Sequence, residues 1–484
     1  MPPKELRRIS PALWELSPSF KEGMHVPARI YATDKLLAGM DEGVFSQVSN
    51  LASMPGIINY AIAMPDAHWG YGSPVGGVAA FDAKEGVISP GLLGFDLNCG
   101  MRLLSTNLSF SELKPKLREL VHELFKSIPS GVGAKGFLKL NRSQFEEVMT
   151  EGSNWCAENN YAWKEDLFAT EDEGKIPGAN PENVSKKAID RGLNHLGTLG
   201  SGNHYLEIQV AENSGIFDSS LAKSFGIHGE SQIMVMFHCG SRGFGHQIAT
   251  DYLERFIAAM PKHGMKVNDK ELACAPTQSE EGQDYFGAMA CAANMAFANR
   301  QIILHKVREC FSRVFGKSAE EMEMNQVYDV CHNIAKFEKY KCGGKTRALL
   351  VHRKGATRSL GKENELLSPK FQKTGQPVII GGSMETGSYL LVGTKKAEEE
   401  AFGSTCHGSG RTMSRTKARH EVNGSELQKK MAERGILVES ASLSGLAEEA
   451  GIAYKEISEV IESVEVAGLS RKVVALRPVG NVKG

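Results

Sequence analysis

Glycine-rich polar strings recur along this chain, and each one borders a short apolar run. The sequence contains 51 glycines in 484 residues, more than the roughly 7% of an average protein. They concentrate in MPDAHWGYGSPVGG (64–77), GLLGFDLNCG (91–100), GTLGSGNHYLEI (197–208), FHCGSRGFGH (237–246), VIIGGSMETGSYLLVG (378–393) and FGSTCHGSGR (402–411). Such strings turn tightly and bring bare backbone close to a ligand. The chain is therefore expected to build a site from strand-end loops.

The apolar runs beside these strings predict strands at 76–81, 101–108, 204–210, 232–239 and 376–382. Helical patterns cover 111–128, 284–316, 425–436 and 444–468. Ser111 is expected to cap the first helix imperfectly, because Lys114 stands where a capping box needs Glu. Since the polar strings span 64–411, we predict one large mixed α+β domain over 1–484. Residues 110–190 are predicted to form a peripheral helical and loop excursion.

Composition excludes several classes of protein. The formal net charge is -1, so any phosphate binding must come from local patches. No apolar run is long enough for a signal peptide or a membrane span, which predicts a cytoplasmic protein that is not inserted in a membrane. The nine cysteines are odd in number, scattered and without a CxxC pair. This pattern disfavours both a disulfide framework and a zinc ribbon.

Cys99 lies in a short loop with Asp96, and its residue type allows four roles. It can be a nucleophile, a disulfide partner, a buried structural residue or a metal ligand. The last role needs partners, and imidazoles occur at strand ends at His204, His238 and His332. Together these five side chains can hold one divalent ion, or two ions about 3.5 to 4 Å apart. Cysteine and histidine favour zinc, whereas the carboxylate and added phosphate oxygens favour manganese or magnesium.

A second candidate site is the string CHGSGR at 406–411. The amides that follow His407 can form an anion-binding concavity, and the guanidinium of Arg411 matches phosphate oxygens. A histidine can attack phosphorus when its other ring nitrogen is held in place. The alternative is an exposed histidine in a glycine turn. The basic run of Arg411, Arg415, Lys417 and Arg419 can follow a polynucleotide backbone or form a solvated face.

The motifs GFDLNCGMR, GSGNHYLEI, FHCGSRGFGHQ, CHNIAKFE, GGSMETGSYLLVG, CHGSGRTMSR and RPVGNVKG together resemble the RtcB family of RNA-splicing ligases. The resemblance runs from about position 25 to the last residue. It implies the family's own α+β fold. It also implies a GTP- and manganese-dependent ligase that joins an RNA 3′-phosphate or 2′,3′-cyclic phosphate to a 5′-hydroxyl, in tRNA splicing or RNA repair. RNA is then the expected partner, and the activating protein archaease is a possible second one.

The resemblance also assigns residues. It implies two Mn²⁺ ions, one held by Asp96, Cys99 and His204 and the other by Cys99, His238 and His332. His407 is the implied nucleophile toward GTP, which leads to an RNA end activated with GMP. The implied nucleotide contacts are Asn203, His204, Tyr205, Leu206, Glu207, His332, Asn333, Gly381, Gly382, Ser383, Met384, Ser388, His407, Gly408, Ser409, Gly410, Arg411, Tyr454 and Lys483.

Two other functions are consistent with the same residues. One is a dinuclear-metal phosphodiesterase or phosphatase without a nucleotide step, and the other is an RNA-binding scaffold with a structural metal.

Several polar residues have two interpretations. Four of them either orient metal ligands or form ordinary hydrogen bonds within loops: Asp66, His68, Arg242 and His246. For Arg242, contact with an RNA phosphate is the favoured interpretation. The string VHRKGATRS, with His352, Arg353, Lys354 and Arg358, is either an RNA-backbone contact or an exposed basic loop.

Overall fold

The computed structural model describes residues 1–484. Its strands are β1 (Arg7–Ser10), β2 (Leu13–Leu16), β3 (Ala28–Tyr31), β4 (Ile57–His68), β5 (Val75–Asp82), β6 (Val87–Ile88), β7 (Gly100–Ser109), β8 (Tyr205–Ile216), β9 (Gln232–Cys239), β10 (Ala275–Pro276), β11 (Asn325–Cys331), β12 (Asn333–Cys342), β13 (Lys345–Lys354), β14 (Ala356–Arg358), β15 (Pro377–Gly381), β16 (Ser388–Gly393), β17 (Ser404–Cys406), β18 (Leu437–Ser440) and β19 (Ser470–Lys483).

The helices are α1 (Asp34–Ala38), α2 (Glu42–Ala52), α3 (Phe110–Leu113), α4 (Leu117–Ser127), α5 (Arg142–Glu151), α6 (Ser153–Glu158), α7 (Lys164–Phe168), α8 (Lys186–Gly192), α9 (Ser219–Ser224), α10 (Arg242–Ala259), α11 (Glu280–Phe315), α12 (Pro369–Gln372), α13 (Lys395–Ala401), α14 (Arg415–Glu421), α15 (Gly424–Glu433), α16 (Leu443–Glu448) and α17 (Ile457–Ala467). Short 3₁₀ turns join several of them, including Gly451–Ala453 between α16 and α17.

Two mixed sheets organise the molecule. A seven-stranded sheet has the order β1-β2-β3-β4-β5-β13-β12, and only its β3–β4 pair is parallel. An eight-stranded sheet has the order β11-β7-β9-β8-β19-β16-β15, with β18 added parallel to β19. The short strands β14 and β17 form a separate antiparallel pair. Helices pack around these sheets, so the predicted mixed α+β fold is confirmed.

The eight-stranded sheet brings distant segments of the chain to one end. β7 begins at Gly100, which pairs with Cys239 at the end of β9 and with Cys331 at the end of β11. β8 runs antiparallel to β9, so its first residue, Tyr205, pairs with His238. Because neighbouring antiparallel strands begin and end at the same edge, the loops at these four strand ends lie together.

Several sequence-based boundaries need correction. The helix predicted to begin at Ser111 begins as α3, and its N-cap is Ser109, which forms a full capping box with Glu112. The helical pattern at 444–468 is not one helix, because α16 ends at Glu448 and α17 begins at Ile457. Between them, the backbone amide of Gly451 donates to Glu385 Oε2 at 2.6 Å instead of to a carbonyl of the preceding α-helical turn.

The excursion predicted for 110–190 contains no long strand and carries α3 to α8. It is not wholly peripheral, because Glu171 is fully buried. The Glu171 carboxylate forms a 2.5 Å ion pair with Lys336 of β12 and lies 3.2 Å from Arg358 of β14. A charged side chain is buried only with such partners, and these lie far along the sequence. No helix in the chain combines the length and the apolar character that crossing a bilayer requires.

Candidate active site

The five side chains proposed as metal ligands meet at the shared end of the eight-stranded sheet. Cys99 is central: its Sγ lies 3.3 Å from His204 Nε2 and 3.0 Å from His238 Nε2. Asp96 Oδ2 lies 2.8 Å from His204 Nε2 on one side. His332 Nε2 lies 3.1 Å from His238 Nε2 on the other. Of these, Cys99, His204 and His238 form a compact group whose ligand atoms all lie within 4.8 Å of one another.

Hydrogen bonds to the backbone orient two of the imidazoles. His238 Nδ1 lies 3.0 Å from the carbonyl of Asn203, to which it donates, so its Nε2 lone pair faces Cys99. His204 Nδ1 lies 3.1 Å from the carbonyl of Leu199, and Arg242 Nη1 is 2.7 Å from the same nitrogen. One ring nitrogen cannot serve both neighbours at once. Metal binding through Nε2 requires the proton on Nδ1, and hence the bond to Leu199.

Burial sets the charge of these groups. It lowers the pKa of His238 and His332 well below the usual value, so both rings are neutral and able to bind a cation. Burial raises the pKa of the Asp96 carboxyl, but the hydrogen bond and charge of His204 and the charge of Arg242 together outweigh this, and the net shift is downward. Burial, followed by the Asp96 charge, raises the pKa of the Cys99 thiol. A divalent cation would reverse that penalty, so this donor set fits a metal.

His407 follows β17 and is held by Asp66 of β4, which belongs to the seven-stranded sheet. Asp66 Oδ2 lies 2.5 Å from His407 Nδ1 and also accepts from the backbone amides of His407 at 3.0 Å and Gly408 at 3.3 Å. Burial raises the pKa of Asp66, but the charge and hydrogen bond of His407 hold it below its usual value. Asp66 therefore orients His407. The sequence suggested that Asp66 orients a metal ligand or forms an ordinary loop hydrogen bond, and neither interpretation describes this role.

Gly410 permits this close approach of the loop to β4. Its φ is +69°, and a Cβ at this position would lie 2.0 Å from the carbonyl oxygen of Asp66. Both the left-handed backbone and the contact exclude a larger residue. The loop is also fixed from the other side, because the amide of Ser409 donates to the carbonyl of Gly381 at 3.0 Å. His407 thereby faces the metal ligands, with its ring centroid 4.8 Å from that of His332.

A cavity of about 340 Å³ joins the two groups of residues. Most of the residues expected to contact a nucleotide line it: Asn203, Tyr205, His332, Asn333, Gly381, Gly382, Ser383, Met384, His407, Gly408, Ser409, Gly410, Arg411, Tyr454 and Lys483. Leu206, Glu207 and Ser388 do not line it. Leu206 packs in the core, and Glu207 and Ser388 are buried beside Gln209, whose Nε2 donates to both. His204 lies in the ligand cluster, outside the cavity lining.

The far end of the cavity carries a group of charges around Glu449. This buried carboxylate lies 3.3 Å from Arg411, 3.6 Å from Arg415 and 3.8 Å from Lys483, and it also accepts from the Tyr454 hydroxyl. Nothing in the string LAEEAG distinguishes Glu449 from an exposed helical glutamate, so the sequence did not reveal it. Arg419 likewise pairs with Glu448, at 3.2 Å. Glu448 and Glu449 thus pair with part of the basic run at 411–419, while the side chains of Arg415, Lys417 and Arg419 stay partly exposed.

The remaining polar candidates fall into two sets. His68 lines the cavity, with its Nδ1 3.2 Å from the Asp66 carbonyl, whereas His246 is exposed and stacks on Phe95. The four basic residues of the string at 351–359 are all buried. Neither the RNA contact nor the exposed loop expected for that string agrees with the structure. Lys354 alone reaches the cavity, where its Nζ donates to backbone carbonyls including that of Ser73 at 2.9 Å.

Comparison with known proteins agrees with the geometry of the site. Residues 47–484 match the family model described as tRNA-splicing ligase RtcB. The tRNA-splicing ligase RtcB of Archaeoglobus fulgidus is 50% identical over 479 residues, covering 99% of both chains. Those of Thermococcus kodakarensis and Methanococcus maripaludis are each 48% identical, with the same coverage. The chain therefore belongs to the RtcB family of tRNA-splicing ligases and is an RNA ligase.

Proposed function

We propose that this protein joins an RNA end carrying a 3′-phosphate or 2′,3′-cyclic phosphate to an RNA end carrying a 5′-hydroxyl, with GTP as co-substrate and Mn²⁺ as cofactor. Membership of the RtcB family supports the ligation of RNA, and the site supports the finer steps. The substrate is proposed to be tRNA exon halves or other broken RNA. The nine buried, unpaired cysteines support a reducing compartment, and we place the reaction in the cytoplasm.

The observation that carries the proposal is the pairing of His407 with Asp66. A carboxylate at 2.5 Å from Nδ1 fixes the proton on that nitrogen and leaves the Nε2 lone pair free to attack. The same carboxylate accepts two backbone amides, so the loop and the ring are fixed together. A carboxylate can orient a metal-binding histidine in the same way, but His407 lies outside the compact group of Cys99, His204 and His238 and lines the wall of a nucleotide-sized cavity.

The residues of the ligand cluster fit two ions. Asp96, Cys99 and His204 would hold one Mn²⁺, and Cys99, His238 and His332 would hold the other. The mixture of a thiolate, imidazoles and a carboxylate is compatible with a borderline divalent ion. His332 Nδ1 is buried without a partner in the protein. When bound, Mn²⁺ supplies Lewis-acid stabilisation of the negative charge on a transferring phosphate.

The chemistry proposed for the chain's own residues has four steps. A cyclic phosphate, where present, is opened by water, whose oxygen bonds to phosphorus as the P–O2′ bond breaks, leaving a 3′-phosphate and a 2′-hydroxyl. His407 Nε2 then forms a bond to the α-phosphorus of GTP, and pyrophosphate leaves. The GMP group passes from His407 to the RNA 3′-phosphate, which restores the free imidazole. Finally the RNA 5′-hydroxyl attacks the activated phosphate, the new phosphodiester forms, and GMP leaves.

The cationic end of the cavity supports the binding of GTP. Arg411 and Lys483 lie there with Tyr454, whose ring offers a face for a base. Burial lowers the pKa of Lys483, and the Glu449 charge opposes that shift. Positioning and charge neutralisation are the main requirements of phosphoryl transfer, and this end of the cavity offers both. We also propose that an activating protein such as archaease assists the reaction.

The test is to incubate the purified protein with MnCl₂ and GTP labelled at the α-phosphate, and to separate it on a denaturing gel. We expect an acid-labile, alkali-stable label on the wild type and none on His407→Ala. Asp66→Asn should label about a hundredfold more slowly or worse, because the ring loses its orienting charge. His420→Ala is the matched control, since this exposed histidine lies in α14, outside the cavity lining.

The same assay separates ligation from the alternative activity. A dinuclear phosphodiesterase would cleave a cyclic phosphate without GTP and would not need His407. Wild-type protein that binds Mn²⁺ but never becomes labelled, or label that persists in His407→Ala, would refute the nucleotide step. Ligation and cleavage are then compared on one RNA that carries a 2′,3′-cyclic phosphate. A ligase yields joined RNA, whereas a phosphodiesterase yields only the opened phosphate.

A further inference from the structure

Trp69 presents an open aromatic face in the segment 68–71, in which His68 and Tyr71 line the active-site cavity. Its side chain is 62% exposed, although the preceding residue, His68, lines the cavity. The indole packs tightly against Gly43 of α2, where a Cβ would lie only 1.8 Å from Trp69 Cε3. Bare backbone thus covers one part of the ring and leaves the rest in water. The uncovered part of the indole is therefore available for stacking with a ligand.

A second aromatic group runs from the cavity to the surface. The rings of Tyr71 and Phe95 meet edge to face with their centroids 5.0 Å apart, and Phe95 stacks on His246 at 4.7 Å with an interplanar angle of 23°. Tyr71 and Phe95 line the cavity, whereas His246 is exposed. Phe95 immediately precedes the metal-ligand candidate Asp96. We call Trp69, Tyr71, Phe95 and His246 the aromatic platform.

The substrate of an RNA ligase explains why open aromatic rings border the site. Both RNA ends must reach the cavity as single strands, because a base-paired end would hold its phosphate away from the reacting groups. Unpaired bases gain about 1–3 kcal/mol each by stacking on aromatic side chains. Stacking reads no base edge, so it tolerates any sequence at the break. These properties suit an enzyme that must join ends of differing sequence.

A cationic side chain, Arg242, also supports single-stranded RNA as the ligand. Arg242 lies four residues before His246, at the first position of α10. Its Nη1 reaches His204, but its Nε is buried without a partner. The guanidinium lies at the metal-ligand candidates, where a phosphate at the RNA end would have to arrive. The combination of an aromatic face with an adjacent cation is typical of single-strand binding surfaces.

We propose that the aromatic platform binds the unpaired bases of an RNA end as it enters the cavity, and thereby aligns the terminal phosphate with His407. The inference rests on the proposed function, since it names how the substrate of the same site is held. It also predicts a division of labour. The platform contributes to the affinity for RNA and contributes nothing to the reaction of His407 with GTP.

The test measures the Kd of a short, fluorescently labelled single-stranded RNA with a 3′-phosphate, in the absence of GTP. We expect Trp69→Ala and His246→Ala each to raise this Kd about fivefold or more, and Trp69→Phe to restore most of the affinity. An RNA with abasic residues at its 3′ end should bind the wild type more weakly. It should bind both alanine variants no worse than it binds the wild type, because the stacking partner is already missing.

Phe217→Ala is the matched control, because Phe217 is 51% exposed and stacks on Tyr389 but does not line the cavity. Equal Kd values for Trp69→Ala, His246→Ala and Phe217→Ala with intact RNA would overturn the inference. Labelling of His407 by GTP is measured in parallel and should match the wild type in all variants. Because RNA binding is read without GTP, a failure of labelling in the wild type would count against the proposed function alone.

Discussion

Three consecutive side chains of β13 show how burial acts differently on each basic group. Arg353 is fully buried and forms two hydrogen bonds to Glu338, at 2.9 and 2.8 Å, so its charge is matched. Lys354 meets only backbone carbonyls, and burial lowers its pKa to about 7. His352 accepts from the amide of Ser89 at 3.4 Å, and burial lowers its pKa to about 3. His352 is therefore a buried neutral ring.

This buried neutral ring predicts a loss of stability in acid. His352 has a pKa of about 3 when folded and about 6.5 when unfolded. Between these values the unfolded chain binds the extra proton, so the free energy of unfolding falls as the pH drops. From about pH 7 to about pH 5 this single group should cost about 2 kcal/mol. Urea denaturation at both pH values, for the wild type and His352→Gln, measures the difference.

The exposed His25 gives the control, since His25→Gln should leave the pH dependence of stability unchanged. We expect His352→Gln to lose less stability than the wild type on acidification. Parallel losses in the two proteins would mean that His352 is protonated in the folded state, against the burial of its ring.

The sequence could not assign the residues of this string. VHRKGATRS has the composition of an exposed basic turn, and nothing in it indicates a buried strand. The acidic partners lie elsewhere in the chain, with Glu338 on β12 and Glu171 before α8. Charge pairing between distant segments depends on the fold, so local composition misassigned all of these residues. Asp66 was missed for the same reason, because its partner is 341 positions away.

At the scale of elements, α11 determines how the ligand loops are held. This helix is 36 residues long, about 54 Å, and 26 of its residues are buried. Arg300 donates to the carbonyl of Asn98, next to Cys99, at 2.7 Å, and to that of Cys239, next to His238, at 3.0 Å. The neighbouring Asn299 accepts the amides of the loop 197–198 that leads to His204. Two adjacent side chains of one helix thus fix the backbone beside three ligands.

Arg300 and Arg313 of α11 provide a comparison within one helix. Arg300 is fully buried and forms a bidentate pair with Asp329, whereas the Arg313 side chain is 50% exposed and pairs with Glu123. Arg300→Gln should lower the free energy of unfolding by about 3–5 kcal/mol, because it leaves a buried carboxylate with less compensation. Arg313→Gln should cost no more than about 1 kcal/mol. Chemical denaturation of both variants measures these values.

Similar losses for the two variants would contradict this interpretation. The outcome would mean that Arg102, which also pairs with Asp329 at 2.7 Å, compensates fully for the missing guanidinium. A second measurement, the retention of Mn²⁺ by folded Arg300→Gln, then reports on the ligand loops directly.

Elements were easier to predict than their ends. The strand at 232–239 and the long helix near 284–316 follow from strong apolar patterns that the fold retains. The helix expected at 444–468 failed because its pattern is equally compatible with two short helices. Its interruption depends on a contact with Glu385, which lies outside the segment. Residue type, strand-end position and a family resemblance picked out the candidate ligands that the structure brings together, whereas Glu449 and the aromatic platform have no local signal.

For the whole molecule, the site joins the two sheets. The metal-ligand candidates lie at the ends of β7, β8, β9 and β11, all in the eight-stranded sheet. His407 follows β17 and is oriented by Asp66 from the seven-stranded sheet. A metal bound there would tie together strand ends within one sheet, while a nucleotide would span both. Removal of the His407 side chain should consequently leave metal binding intact.

This arrangement predicts which variants respond to Mn²⁺ alone. A ligand that binds only the folded state at a hundred times its Kd adds about 2.7 kcal/mol of stability. For a chain of this size we expect Mn²⁺ to raise the Tm by a few degrees. The increase should be the same in the wild type and in His407→Ala, and absent in Cys99→Ala, because Cys99 is shared by both proposed ions. Differential scanning calorimetry with and without Mn²⁺ measures each shift.

Each variant is compared with its own metal-free protein, so a lower starting Tm of Cys99→Ala does not affect the result. Addition of EDTA should abolish the increase wherever it occurs, since the ion is the only difference between the samples. An undiminished shift in Cys99→Ala would mean that Mn²⁺ binds away from the strand ends of the eight-stranded sheet. A shift lost in His407→Ala would mean instead that the loop after β17 contributes to metal binding, and that the two sheets share one ligand site.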